Sequence, residues 1–359
     1  EGKMLRNIVN TSVVVAAIGL LISAHSANAD EIWNMATAWG GGPILEEDAK
    51  GYAKMVDTLT DGRIRINVFP GGTLGSPLKV SDTVKSNVVQ AGHTWMGYDW
   101  GIDKTTVLFG NMAGGLNPEE LIIWLFQAGG AELWFEYRME KFGVASIPCG
   151  IFPTEIFLHS KKRIETLEDF VGVKLRTAGA WAEIAGDLGA STVILPGAEV
   201  YPALERGVID AAEWVGPLQD RRLGLHKAAK NYYSTGWHEP STTTELLINR
   251  KAMESLPSDI QAIVKNVAAA ANIIAHTSAE AQNGDALEDL VNNYGVKVSE
   301  LPTDVIDALR KKTAEVLSST AAGDPLFAKV LKSFKDFQTK HDKWANLSER
   351  QYATRVRRG

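Results

Sequence analysis

Cysteine is almost missing from this chain: Cys149 stands alone among 359 residues. One thiol cannot form an intramolecular bridge, so stability must come from a buried core. A lone Cys149 is expected to be a small buried hydrophobe rather than a reactive thiol. Catalytic signatures are also missing. There is no G-x-S-x-G elbow, H-E-x-x-H, P-loop or CxxC, which leaves no ready nucleophile, zinc pair or phosphate cradle. His93, His159, His226 and His238 are scattered, with no second ligand at metal spacing. They read as surface or hydrogen-bonding histidines. Excess positive charge is lacking as well. The 37 basic residues face 43 acidic ones, a formal charge of −6. That balance argues against nucleic acid or an anionic membrane surface as partner. Nor is there a run long enough to cross a bilayer.

What the N-terminus does contain is an export pattern. Lys3 and Arg6 precede the ten-residue apolar run Val13 to Ile22, and Ala27-Asn28-Ala29 follows as a small-x-small site. Residues 1–29 are therefore expected to be a cleaved signal peptide, with the mature chain beginning at Asp30 in the periplasm. The remainder, 35 basic and 42 acidic residues, is still more acidic at −7. Its length predicts one large or two medium domains.

Strand and helix patterns alternate from the start. Glu31 to Trp39 reads as a strand and Gly40-Gly41-Gly42-Pro43 as the turn into a helix carrying Ile44, Ala49, Tyr52, Met55, Val56 and Leu59. Ile64, Ile66 and Val68 alternate as a strand, stopped by Pro70-Gly71-Gly72. This order predicts an α/β fold with mostly parallel sheets flanked by helices. Thr166 and Asp169 look like a capped helix start, and 171–176 like a strand ending in Arg176. Leu246 to Asn249 reads as a strand crossing back, and Ser258 as the cap of a long helix. Near the C-terminus Phe327, Val330, Leu331, Phe334, Phe337 and Trp344 form an apolar stripe. It can cover the chain's own core or dock on a second subunit.

Two segments echo one another. Val84 to Thr94 aligns with Leu204 to Trp214 as helix, left-handed turn (Asn87 and Gly207) and strand. The echo places His93 and Glu213 at equivalent strand ends of two lobes. Open α/β sheets bind ligands at such ends, where Glu155, Arg176 and Glu239 are also expected. A buried arginine can grip a carboxylate with two parallel hydrogen bonds. Converging carboxylates repel unless a hard cation joins them, and oxygen donors suit Na⁺ or Ca²⁺. Spacing alone leaves open that these are unrelated surface or paired charges.

Several segments resemble the periplasmic solute-binding proteins of TRAP transporters. They are Gly62 to Gly71, Glu168 to Arg176, Leu204 to Asp210 and Leu256 to Ile260, in order along most of the mature chain. Ala212 to Pro217, Tyr232-Tyr233 and Leu347 to Tyr352 resemble the subgroup that binds α-keto acids with a metal ion. The resemblance implies a two-lobed periplasmic-binding-protein-like fold with hinge crossings and long C-terminal helices. Lobe I would comprise 30–153 and 247–303, lobe II 154–246, and 304–359 a helical segment that can form a homodimer. Arg176 would hold the substrate carboxylate. Glu155, Glu213, Glu239 and the Trp214 carbonyl would hold the cation. Trp39, Trp95 and Tyr98 would close over the ligand, with His93 beside them. The partners implied are a small 2-oxo or 2-hydroxy carboxylate and the membrane permease subunits.

One departure matters: Glu155 stands where the subgroup has Gln. Three ionised carboxylates against Arg176 leave the empty site at −2, and a bound monocarboxylate takes it to −3. Sodium leaves −2 and calcium −1, so with Glu155 ionised Ca²⁺ is expected over Na⁺, because uncompensated buried charge is costly; a protonated Glu155 removes that preference. A metal-dependent enzyme using Glu155 or Glu239 as base, or a ligand-presenting protein for a sensory receptor, are the rival readings.

Overall fold

The computed structural model describes residues 31–110, 112–234 and 236–357; the signal-peptide expectation lies outside them. Two mixed sheets, each flanked by helices, organise the chain. The first has strand order β2-β1-β3-β10-β4, built from β1 (Glu31–Thr37), β2 (Ile64–Phe69), β3 (Ala91–Trp95), β4 (Val144–Phe152) and β10 (Thr242–Asn249). The second has order β11-β9-β5-β8-β6-β7, from β5 (Leu158–Ser160), β6 (Lys174–Arg176), β7 (Ser191–Val193), β8 (Ala211–Ala212), β9 (Asn231–Ser234) and β11 (Lys297–Glu300).

Parallel pairing is confined to parts of each sheet. β1 runs parallel to β2 and β3, and β6 runs parallel to β7 and β8. The antiparallel strands are those at the crossings. β4 leaves the first sheet for β5, which pairs antiparallel with β8 and β9; β9 leads back to β10, antiparallel to β3 and β4. Every residue of β10 is buried, as expected of an inner strand covered on both faces. The echoed turns both adopt the left-handed backbone, with φ of 57° at Asn87 and 74° at Gly207.

Local signals shift by a few residues. Asp169 accepts the Thr166 N–H at 2.9 Å, but the element it starts is the short 3₁₀ turn Leu167–Phe170. Ser258 opens its helix rather than capping it, because Pro257 occupies the cap.

The lobe assignment needs correcting in two places. The helix Ser258–Asn292 packs on β4 of the first lobe and on the helix Pro217–Leu223 of the second. It therefore delivers β11 to the second sheet, beside β9, and 247–303 is shared between lobes. Nor is 304–359 a separate unit. The helix Thr303–Gly323 buries Val305 and Leu309 in the second lobe's core, whereas the helix Pro325–Ala345 buries Phe327, Val330 and Phe334 in the first. That half of the apolar stripe covers the chain's own core. Within the described part of this C-terminal segment, the large hydrophobics left exposed are Trp344, Leu347, Tyr352 and Val356.

Candidate functional site

The C-terminal ends of β6 and β8 lie side by side, since Arg176 pairs with Ala212. Arg176 and Glu213 thus leave adjacent strands at one sheet edge. Arg176 Nη1 donates to Glu213 Oε1 at 2.8 Å and to the Glu213 carbonyl at 2.9 Å, while Nε donates to the Leu195 carbonyl at 3.1 Å. The guanidinium also lies 5.0 Å from the centre of the Trp214 ring. Asp220 fixes the segment behind Trp214. Its carboxylate accepts the Val215 N–H at 3.1 Å and the Tyr232 hydroxyl at 2.8 Å.

Glu155 and Glu239 sit on the two strand crossings between lobes. The crossings are tied together by backbone bonds from Glu155 N–H to Glu239 carbonyl and from Gly236 N–H to Glu155 carbonyl. A Cβ on Gly236 would fall 2.4 Å from that carbonyl oxygen, so only glycine permits the approach. The Thr242 hydroxyl lies 2.6 Å from Glu155 Oε1 and 2.6 Å from Glu239 Oε2. One hydroxyl has one hydrogen, so it donates to a single carboxylate. Without a cation, the second short contact is relieved by a proton held on the acid pair. Burial first, then Glu239 and Glu213, raises Glu155 well above the carboxylate range. Burial raises Glu213 to about 7 against the opposing pull of Arg176.

His238 completes the group. Its Nε2 lies 3.3 Å from Glu155 Oε2 and 3.9 Å from Glu213 Oε2. Burial and Arg176 lower it to about 3, so the ring is neutral and these contacts are not ion pairs. One ligand atom from each of Glu155, Glu213 and His238 lies within 4.8 Å of the others. Glu155 Oε2 and His238 Nε2 are buried without a hydrogen-bond partner, and no donor among the described residues bonds the Trp214 carbonyl. Two buried carboxylates converging with a neutral imidazole donor fit a hard cation.

Glu155, Arg176, Glu213, Trp214, Glu239 and Thr242 line a cavity with about 390 Å³ of free space, and His238 lies behind them. The centre of a water-sized sphere can range over only about 40 Å³ of it, a scale for small solutes. Trp39, Ile44, Trp95, Tyr98, Phe152 and Thr244 supply the first-lobe wall, and Arg176, Glu213, Trp214 and Val215 the second-lobe wall. Trp95 and Tyr98 meet edge to face with ring centres 5.1 Å apart. Burial raises the Tyr98 phenol to about 12 although Arg176 pulls the other way. Tyr98 therefore stays protonated and can donate.

His93 is the expected site residue that the structure moves elsewhere. It is buried behind Trp39, whose Nε1 donates to His93 Nδ1 at 2.8 Å; His93 Nε2 lies 2.9 Å from the Cys149 carbonyl. Those partners require the neutral tautomer with its proton on Nε2. His93 thus holds Trp39 and does not line the cavity. His238, Thr242, Asp220 and the Ile44, Phe152 and Thr244 wall were missed from sequence. Only His238 had a cue, its place beside Glu239 in Trp237-His-Glu-Pro240.

A two-lobed fold with charged groups on its crossings and at a sheet edge, around a cavity between the lobes, is the architecture of a solute-binding protein. The profile of the bacterial extracellular solute-binding protein family 7 matches residues 35–324, and the chain belongs to that family. It is a solute receptor of the TRAP-transporter type rather than an enzyme. The monocarboxylate 2-oxoacid-binding periplasmic protein of Nostoc sp. is 32% identical over 355 residues, covering 97% of each chain. A TRAP periplasmic solute-binding protein from Pseudoalteromonas atlantica, solved with bound sodium and pyruvate, is 36% identical with a TM-score of 0.87, covering 91% of this chain and 99% of its own. Another from Colwellia psychrerythraea, solved with bound calcium and pyruvate, is 36% identical with a TM-score of 0.86, covering 90% and 98%.

Proposed function

We propose that the protein captures a small 2-oxo or 2-hydroxy monocarboxylate together with Ca²⁺ in the periplasm and delivers it to a TRAP membrane permease. The observation that carries this is the convergence of Arg176 with Glu155, Glu213 and Glu239 on one small cavity between the lobes. Arg176 takes the ligand carboxylate. A cation would be held by Glu155, Glu213, Glu239 and the Trp214 carbonyl, and would supply positive charge to the 2-oxo or 2-hydroxy end of the ligand. Trp39, Trp95 and Tyr98 close over the ligand, so occupancy favours the closed form. The relatives solved with pyruvate and either sodium or calcium support this class of ligand. Isothermal titration with pyruvate tests it: heat of binding is expected with Ca²⁺ present and none in chelator. Absence of binding by any 2-oxo or 2-hydroxy acid in Ca²⁺ would reject the reading.

The raised carboxyls give a pH signature. Cation uptake displaces their protons, so cation affinity should fall as pH drops below about 7. The stability of the cation-free protein runs the other way. A carboxyl whose folded pKa is raised contributes stability that is fully present below its unfolded value near ~4.3 and is lost as pH rises through the folded value. For Glu213 that window ends at about 7. The melting temperature in chelator should therefore fall between pH 5 and 8, while the gain on adding Ca²⁺ grows. A Ca²⁺ gain that is flat over this range would contradict the assignment.

The homodimer is proposed through the exposed Trp344, Leu347, Tyr352 and Val356. Cutting after Asp324 would strip Phe327, Val330 and Phe334 from the first lobe's core, so a surface change is the cleaner probe. Trp344→Glu is expected to turn a dimer into a folded monomer by light scattering. A monomeric unmodified protein would refute the dimer.

A further inference from the structure

A second chamber adjoins the first. Trp39, Ile44 and Trp214 line both, so one layer of side chains separates them. Its free space is about 700 Å³, and the centre of a water-sized sphere can range over about 230 Å³ of it, far more than in the cation cavity. The rest of its wall comes from both lobes: the glycine turn 40–42 on one side, Gly197, Ala198, Gln219 and Arg222 on the other. At its rim the lobes touch without intervening side chains, since a Cβ on Gly40 would fall 2.8 Å from the Ala198 Cβ. A solute held here meets both walls only when the lobes are together.

Two polar groups in this chamber are not used by the fold. Gln219 is 4% exposed, yet its Oε1 is buried without a hydrogen-bond partner. Arg222 is an exposed residue at the chamber's mouth with no ion-pair partner among the described residues, although its neighbour Arg221 is paired with Asp289 at 2.5 Å. A buried polar atom without a partner is costly, and a cavity that holds one commonly receives water or ligand. An unpaired guanidinium at a chamber wall presents a fork suited to a carboxylate.

We propose that the second chamber is a tail site, which extends the ligand range from pyruvate-sized acids to 2-oxo acids carrying a second, terminal carboxylate. The 2-oxo end stays on Arg176 and the cation. The chain passes between the Trp39 and Trp214 indoles, and the terminal carboxylate is met by Arg222. Gln219 Oε1 accepts from a water carried with that group. The inference rests on the carboxylate–cation reading above, and the two fail differently.

The test is titration in Ca²⁺ with pyruvate, 2-oxopentanoate and 2-oxopentanedioate, the last two differing only in the terminal carboxylate. The diacid is expected to bind about fivefold more tightly than the five-carbon monoacid, the scale of one partly exposed ion pair. Arg222→Gln should erase that advantage and leave pyruvate unchanged. Gly41→Leu should weaken both five-carbon acids and spare pyruvate. Gly41 is an exposed residue of the chamber wall, and a Cβ there meets nothing within 4 Å, so the variant adds bulk at the chamber's mouth without a clash at its root. A diacid no tighter than the monoacid, or a diacid advantage that survives Arg222→Gln, overturns the tail site while pyruvate binding still supports the cation site. Failure of all three acids to bind overturns both.

Discussion

Arg176→Met is expected to weaken pyruvate binding about a thousandfold, a loss of roughly 4 kcal/mol. Arg176 is the positive side chain against three buried carboxylates, and it spends Nη1 on Glu213 and Nε on the Leu195 carbonyl. Removing it takes away the ligand's counter-charge and leaves Glu213 buried without its pair. Glu213 would then hold its proton more firmly and become a poorer cation ligand. Arg176→Lys should recover little, because one ammonium cannot reproduce both directed bonds of the fork. Titration calorimetry at fixed Ca²⁺, with circular dichroism to verify folding, reads the effect. A loss below tenfold would show that the ligand carboxylate is held elsewhere.

Glu155→Gln should change the ion rather than abolish the site. The substitution removes one buried negative charge, and several kcal/mol attach to such a charge when uncompensated. Ca²⁺ affinity is expected to fall about a hundredfold, roughly 3 kcal/mol, while Na⁺ becomes able to support pyruvate binding. The amide can also donate to its neighbour, relieving the crowding in which Thr242 lies 2.6 Å from both Glu155 and Glu239. Pyruvate titrations in Na⁺ alone, for both proteins, check this. An unaltered ion preference would mean that Glu155 does not face the cation.

How much of this could be read from sequence differs by residue. Arg176 and Glu213 were legible because each ends a short apolar strand, and parallel strands bring such ends to one edge. The turns at Asn87 and Gly207 were legible because few residues accept a left-handed backbone. His93 shows the limit of the echo. Matching backbone placed it at a strand end, but the Trp39 indole, 54 residues away in sequence, decides where its ring is used. His238 carried no spacing signal because its burial depends on Phe157 and Trp181, whose rings lie 5.5 and 5.9 Å from it. β11 was misassigned because all four of its residues are exposed; an edge strand of that kind has no apolar face to betray its sheet. The second chamber was invisible because it is formed where two lobes meet, from glycines and single side chains far apart in sequence.

The central claim is that a carboxylate and a cation are bound as one unit. Its most direct measurement is elemental analysis of protein purified without chelator, followed by pyruvate titration before and after the ion is stripped. The account predicts one Ca²⁺ per chain, loss of pyruvate binding on stripping, and its return with Ca²⁺. Pyruvate binding of equal strength in the stripped protein would contradict it.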